Sequence, residues 1–131
     1  MIVLLDPSAA IDIVLKKGNY NLFAEKIETA DTVIAPELYI SEIANVSWKY
    51  HKRAGFSHEE AITLAEDGIL LVDTIIPVID LWKEVLRESM INDHPVYDLL
   101  YVIAARRNDA LVLTKDKRIK RICKKFAVKV V

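Results

Sequence analysis

Apolar residues fall into two rhythms along this chain. Short, nearly unbroken runs occupy 2–5, 32–35 and 110–113, and weaker ones occupy 70–72 and 128–131. Runs of this length without polar alternation read as strands buried on both faces, the habit of a parallel sheet. Between them, apolar residues recur every three or four positions. This predicts helices over about 7–15, 20–30, 37–53, 57–65, 78–90, 96–107 and 117–125. Strand and helix alternating in this way predict an α/β domain of three layers, with a central, mainly parallel sheet of four or five short strands covered by helices on both faces.

The punctuation agrees with that division. Pro7 suits the first turn of a helix and Asp6 before it suits a cap, whereas Gly18-Asn19, Pro36 and Gly55 each close an element. Ser57 and Glu60 have the three-residue offset of a capping box. Asp93-His94-Pro95 interrupts the chain before a markedly apolar helix that carries Leu99, Leu100, Val102 and Ile103. There is no internal repeat, low-complexity stretch or flexible linker. Residues 1–131 are therefore expected to form a single domain, with 53% hydrophobic residues to supply its core.

Composition narrows the setting. Charges interrupt every apolar stretch well short of bilayer length, and no basic leader precedes the first strand, so a soluble, unprocessed cytoplasmic protein without a membrane partner is expected. Cys123 stands alone, which excludes an internal disulfide and suits a packing residue in a reducing compartment. The net charge of −1 hides an asymmetry: residues 1–114 carry 10 Lys and Arg against 18 Asp and Glu, whereas 115–131 carry 8 against 1. A basic terminal segment beside an acidic body fits either a phosphate-binding edge or a solvated helix face.

Four acids stand where elements begin or end: Asp6 after the first strand, Glu42 about one turn into the third helix, Asp98 at the opening of the 96–107 helix, and Asp116 after the 110–113 strand. In open α/β sheets ligands bind beyond the carboxyl ends of the strands, which is where Asp6 and Asp116 fall and toward which Glu42 and Asp98 can lean. Singly, Asp6, Asp98 and Asp116 read equally as helix caps. Together, converging carboxylates without matching cations repel one another, and a hard cation with oxygen ligands, Mg²⁺ or Mn²⁺, would relieve the repulsion.

At these residues the chain resembles the PIN-domain ribonucleases, in particular the VapC-type toxins of toxin–antitoxin pairs. The resemblance rests on Leu4-Leu5-Asp6-Pro7-Ser8, on Ala35 through Val46 with Glu42 near its centre, on Tyr97-Asp98-Leu99-Leu100-Tyr101-Val102-Ile103-Ala104, and on Leu113-Thr114-Lys115-Asp116. It runs the length of the chain in order, with Pro7 standing where such proteins more often have a small residue or Thr. It implies a PIN-like fold, Mg²⁺- or Mn²⁺-dependent endonucleolytic cleavage of an RNA substrate, a homodimer, and a cognate antitoxin that covers the site. Asp6, Glu42 and Asp98 would be the metal ligands and catalytic acids, with Asp116 the fourth and most peripheral. Ser8 and Thr114 resemble hydroxyl positions that orient the carboxylates, and Asn45 shares a helix face with Glu42. Lys115, Lys117 and Arg118, together with Lys49, Lys52 and Arg53, would hold the RNA backbone without reading its sequence.

Other residues suggest less. Asp12 is expected to face solvent or pair with Lys16, and Asp93 to serve a turn or the outer edge of a metal site. Trp48 and Trp82 read as packing or interface residues. His51, His58 and His94 have no nucleophile at a suggestive spacing. Two rival readings remain: a phospho-accepting receiver domain built on Asp73, Thr114 and Lys115, and a catalytically idle PIN-like binding module. The receiver lacks the adjacent acid pair expected after the first strand, since Pro7 follows Asp6.

Overall fold

The computed structural model describes residues 1–131 throughout. Four strands, β1 (Ile2–Leu5), β2 (Thr32–Pro36), β3 (Thr74–Ile76) and β4 (Leu111–Leu113), form one sheet in the order β3-β2-β1-β4, and every neighbouring pair is parallel. Seven helices flank it: α1 (Pro7–Leu15), α2 (Tyr20–Glu28), α3 (Leu38–Ala54), α4 (His58–Leu70), α5 (Trp82–Asn92), α6 (Val96–Asn108) and α7 (Lys117–Lys125). The helix α6 lies across β1, β2 and β4 with α5 and α7 packed beside it, while α1 to α4 form the second group. This is the expected α/β architecture.

Burial explains why the strands lack alternation. Val3, Leu4 and Leu5 are wholly buried, as are Val112 and Leu113, so successive residues on both faces meet helices. The run Leu99 to Ala105 is buried on nearly every side, making α6 the central helix of the core. Close approach of α3 and α4 depends on Gly68, where an added Cβ would lie 3.2 Å from Ile43 Cδ1, and on Tyr39, whose hydroxyl donates to the Gly68 carbonyl at 2.6 Å. The capping box is formed, with the Ser57 hydroxyl accepting from the Glu60 N–H and the Glu60 carboxylate accepting from the Ser57 N–H. No helix is long and apolar enough to cross a membrane.

Two strands and several helix ends differ from the sequence expectation. The apolar run at 70–72 is the end of α4 and the turn after it; the strand is Thr74–Ile76, paired with β2. Segment 128–131 contributes one isolated parallel bridge, Val112 to Val130, because α7 ends so close to it that the chain returns only briefly. The 78–90 helix divides into a 3-10 turn, Val78–Asp80, and α5. Trp48 and Trp82 are about half exposed, so neither is a packing residue of the core.

Candidate active site

The order β3-β2-β1-β4 makes the crevice between β1 and β4 the point where the chain switches direction across the sheet, the preferred place for a ligand in such sheets. Asp6 follows β1 there and Thr114-Lys115-Asp116 follow β4. The Asp6 N–H continues the strand pairing by donating to the Leu113 carbonyl at 3.1 Å. A cleft of about 470 Å³ opens over this point, lined among others by Asp6, Ser8, Glu42, Asn45, Lys115 and Asp116.

Asp6 is 5% exposed, and its two oxygens have different surroundings. Oδ2 accepts three hydrogen bonds: from Ser8 N–H at 3.1 Å, capping α1, from the Ser8 hydroxyl at 2.5 Å, and from the Thr114 hydroxyl at 2.9 Å. Oδ1 accepts none. Burial pushes the acid up from its usual 3.8 to about 6; the Ser8 and Thr114 hydrogen bonds oppose the rise and the Glu42 charge adds to it. Thr114 in turn accepts the Asp116 N–H at 2.9 Å, and Ser8 accepts the Lys115 N–H at 2.8 Å. Both hydroxyls therefore fasten the β4–α7 junction to the first carboxylate.

Glu42, Asn45, Val46 and Lys49 recur at helical spacing on α3 and line the cleft together. The Tyr101 hydroxyl, on α6, donates to Glu42 Oε1. Burial raises the Glu42 acid; the Tyr101 hydrogen bond resists, and the charges of Asp98 and Asp116 push further upward. Burial and the Glu42 charge hold the Tyr101 phenol protonated, far above its usual range, so it keeps the O–H that it donates to Glu42. Asp116 caps α7, with Oδ1 accepting from Arg118 N–H at 2.8 Å and Ile119 N–H at 3.4 Å. Its partial burial raises the acid, but the Arg118 side-chain and backbone hydrogen bonds outweigh this and hold it below the usual range. Asp98 stands outside the cleft lining, in the first turn of α6, with its Oδ2 3.5 Å from His94 Nε2.

The structure thus gathers Asp6, Glu42, Asp116, Ser8, Asn45, Lys49 and Lys115 at one cleft, with Thr114 buried just beneath it and Asp98 near enough for Glu42 to feel its charge. Lys117, Arg118, Lys52 and Arg53 do not line it; Lys52 lies over the Trp48 ring instead. No three acidic, His or Cys side chains close into a finished ligand cage. The donor set is nevertheless hard oxygen throughout, and two of its acids are raised, which suits Mg²⁺ or Mn²⁺ with waters completing the shell rather than a softer metal.

Two expectations are overturned by geometry. Asp12 is wholly buried, with Oδ1 accepting Lys115 Nζ at 3.0 Å, rather than facing solvent or Lys16. Asp73, the would-be phosphoacceptor, precedes β3 at the amino edge of the sheet, and its Oδ2 accepts the Val33 N–H at 2.8 Å. It is at the wrong edge to act with Thr114 and Lys115. Residues that sequence reasoning passed over include Tyr101, Lys17 and Tyr50, the last two joined by a 2.5 Å hydrogen bond on the cleft wall. For Asp12 a signal was present, since α1 is otherwise so apolar that a carboxylate within it has to find a partner.

Residues 3–125 match the family model of the PIN domain, and the chain belongs to that family, whose members are nucleases. Among solved structures it resembles PAE2754 from Pyrobaculum aerophilum, with TM-score 0.65 and 20% identity over 98% of this chain and 100% of that one. It also resembles VapBC2 from Rickettsia felis bound to a DNA fragment from their promoter, with TM-score 0.67 and 17% identity over 100% of this chain and 98% of that one. No curated protein matches the sequence.

Proposed function

We propose that this chain is a Mg²⁺- or Mn²⁺-dependent endoribonuclease that hydrolyses RNA phosphodiester bonds and serves as the toxin of a toxin–antitoxin pair. The observation that carries the proposal is Asp6: three donors converge on Oδ2 and leave Oδ1 free at the switch point, beside Glu42. Asp6 and Glu42 would hold the cation, with Asp98 and Asp116 completing the acidic set. When bound, the cation would lower the pKa of water and offset charge on the phosphoryl group. The protein's own share is positional. Ser8 and Thr114 orient Asp6, Tyr101 orients Glu42, and Lys49 and Lys115 supply positive charge for the RNA backbone at the cleft.

The toxin reading draws support from the VapC-type resemblance of the acidic motifs, from the fold shared with VapBC2, and from an apolar groove next to the site. That groove, about 530 Å³, runs between Leu38, Val78, Trp82, Leu86, Tyr97 and Leu100 and would suit an antitoxin or a second copy of the chain. The decisive experiment is cleavage of total and synthetic RNA with and without Mn²⁺, beside Asp6→Asn. Cation-dependent fragments from the wild type alone are expected. Equal cleavage by both proteins would remove Asp6 from the mechanism, and none by either, with weak cation binding in calorimetry, would favour an idle binding module.

A further inference from the structure

Asp12 has no role in the acidic set, yet its carboxylate, 1% exposed, sits at the base of the same cleft. A buried carboxylate costs several kcal/mol unless it is fully partnered, so both oxygens need an explanation. Oδ2 closes the turn after α1 by accepting the Asn19 N–H at 3.1 Å, with Gly18 at φ +55° packed so tightly that an added Cβ would fall 2.4 Å from it. Oδ1 does something the turn does not require. It reaches the Lys115 ammonium at 3.0 Å, 103 positions along the chain.

Lys115 is therefore fixed at both ends. Its N–H is held by Ser8 Oγ, which itself donates to Asp6 Oδ2, and its Nζ is held by Asp12. A free lysine loses rotamer freedom on taking a ligand, and one already immobilised has met most of that cost in folding. An ammonium carries three N–H donors, so one on Asp12 leaves two for the cleft that Lys115 lines, on a side chain 42% exposed.

We infer that Asp12 is a positioning residue, which holds the Lys115 ammonium as a preset cation for a backbone phosphate of single-stranded RNA beside the acidic floor. The inference rests on the reading of the cleft as an RNA site and names the subsite within it. Single-stranded RNA is the fitting occupant because a cleft of about 470 Å³ admits part of one flexible strand, whose backbone phosphate can meet the point charge of Lys115.

The test is binding of a fluorescent single-stranded RNA decamer, followed by anisotropy across KCl concentrations in EDTA so that nothing is cut. The full chain is compared with Lys115→Gln, Asp12→Asn and the double variant. Each single change is expected to weaken binding about 5- to 10-fold near 0.1 M salt, a figure discounted for solvent screening. Lys115→Gln should also lower the slope of log Kd against log salt by about 0.7, the value for one phosphate contact on a single strand, whereas Asp12→Asn, which keeps the cation, should lower it by less. The double variant should bind no worse than Lys115→Gln alone. An unchanged slope in Lys115→Gln, or additive losses in the double variant, overturns the inference. The Gln amide can still donate to Asp12 Oδ1, so Lys115→Gln keeps the buried carboxylate partnered and decides by its slope alone should Asp12→Asn not fold. Cleavage of the same RNA in Mn²⁺ is run in parallel. RNA that binds with a Lys115-dependent slope but stays intact refutes the nuclease reading and leaves this inference standing; RNA that is cut with a Lys115-independent slope does the reverse.

Discussion

Replacing Asp6 by Asn should make the protein more stable at neutral pH while destroying its function, and the size of the gain follows from the site. In the folded state the acid is raised from 3.8 to about 6. A raised carboxylate binds its proton more tightly when folded than when unfolded, so its contribution to stability is fully present below about pH 3.8 and is lost as pH climbs through about 6. Two pH units at 1.36 kcal/mol each put that loss at roughly 3 kcal/mol by pH 7 and above. Asn carries no charge to desolvate, and its amide oxygen can take the three donors now on Oδ2, with the NH₂ at the position of the unpaired Oδ1. The variant should then exceed the wild type by up to about 3 kcal/mol at pH 8, or on the order of 10 °C in Tm for a chain of this length, and by only about 0.5 kcal/mol at pH 4. Thermal unfolding in EDTA at both pH values measures the difference directly, and titrating groups away from Asp6 cancel in the comparison. Adding Mn²⁺ at pH 8 should stabilise the wild type by about 2.7 kcal/mol at a hundred times Kd, raising its Tm, and leave Asp6→Asn unmoved. An Asn variant less stable than the wild type at pH 8, or a difference that ignores pH, would refute the claim that burial of the ionised acid is what this site costs.

Tyr101→Phe removes the one donor that Glu42 has from α6 and lets its acid rise further, so Mn²⁺ affinity by calorimetry should fall about tenfold, with little change in circular dichroism; unchanged affinity would place Glu42 outside the cation's reach. Gly18→Ala and Gly55→Ala both put a side chain at positive φ, at +55° and +75°, but only the first drives a Cβ into Asp12 Oδ2; urea unfolding should show a cost of about 1 kcal/mol at Gly55 and at least twice that at Gly18, and equal costs would contradict the steric account. Ser57→Ala opens the capping box of α4 and should cost about 1 kcal/mol in the same assay without affecting RNA cleavage, since α4 does not line the cleft; a loss of cleavage in a folded protein would count against the site's boundaries.

Hydrophobic rhythm revealed β1, β2 and β4 because these strands are largely buried on both faces and so read as short unbroken apolar runs. It misplaced β3 for a physical reason. Leu70 and Leu71 are apolar but end a helix, while Thr74–Ile76 is an edge strand only partly buried, so composition and burial point in opposite directions there. The acids could be found because each interrupts an apolar segment; their partners could not. Nothing in the local sequence says that Tyr101 meets Glu42 across 59 positions or Lys115 meets Asp12 across 103, since those contacts are made by the sheet order. Periodicity alone placed Asp12 on the surface, whereas α1 is covered by α2, α3 and α4.

The capping and ligand readings of Asp6 are not alternatives. A cap needs one carboxylate oxygen and a cation needs another, and the structure divides them: Oδ2 holds the start of α1 and the β4–α7 junction, and Oδ1 is left for the cleft. Asp116 is divided less favourably, because its Oδ1 caps α7 while its Oδ2 lies 3.4 Å from the Arg118 guanidinium, and its acid is held low rather than raised. A carboxylate already compensated by an arginine gains less from a cation than one whose charge is buried and uncompensated. The same physical measure therefore orders the acids: on the proposed reading Asp6 and Glu42 would gain most from a divalent cation and Asp116 least. Asp6→Asn should accordingly abolish Mn²⁺ binding, whereas Asp116→Asn should weaken it only a few-fold, and calorimetric titration of the two variants side by side would expose the reverse order if charge compensation does not govern the site.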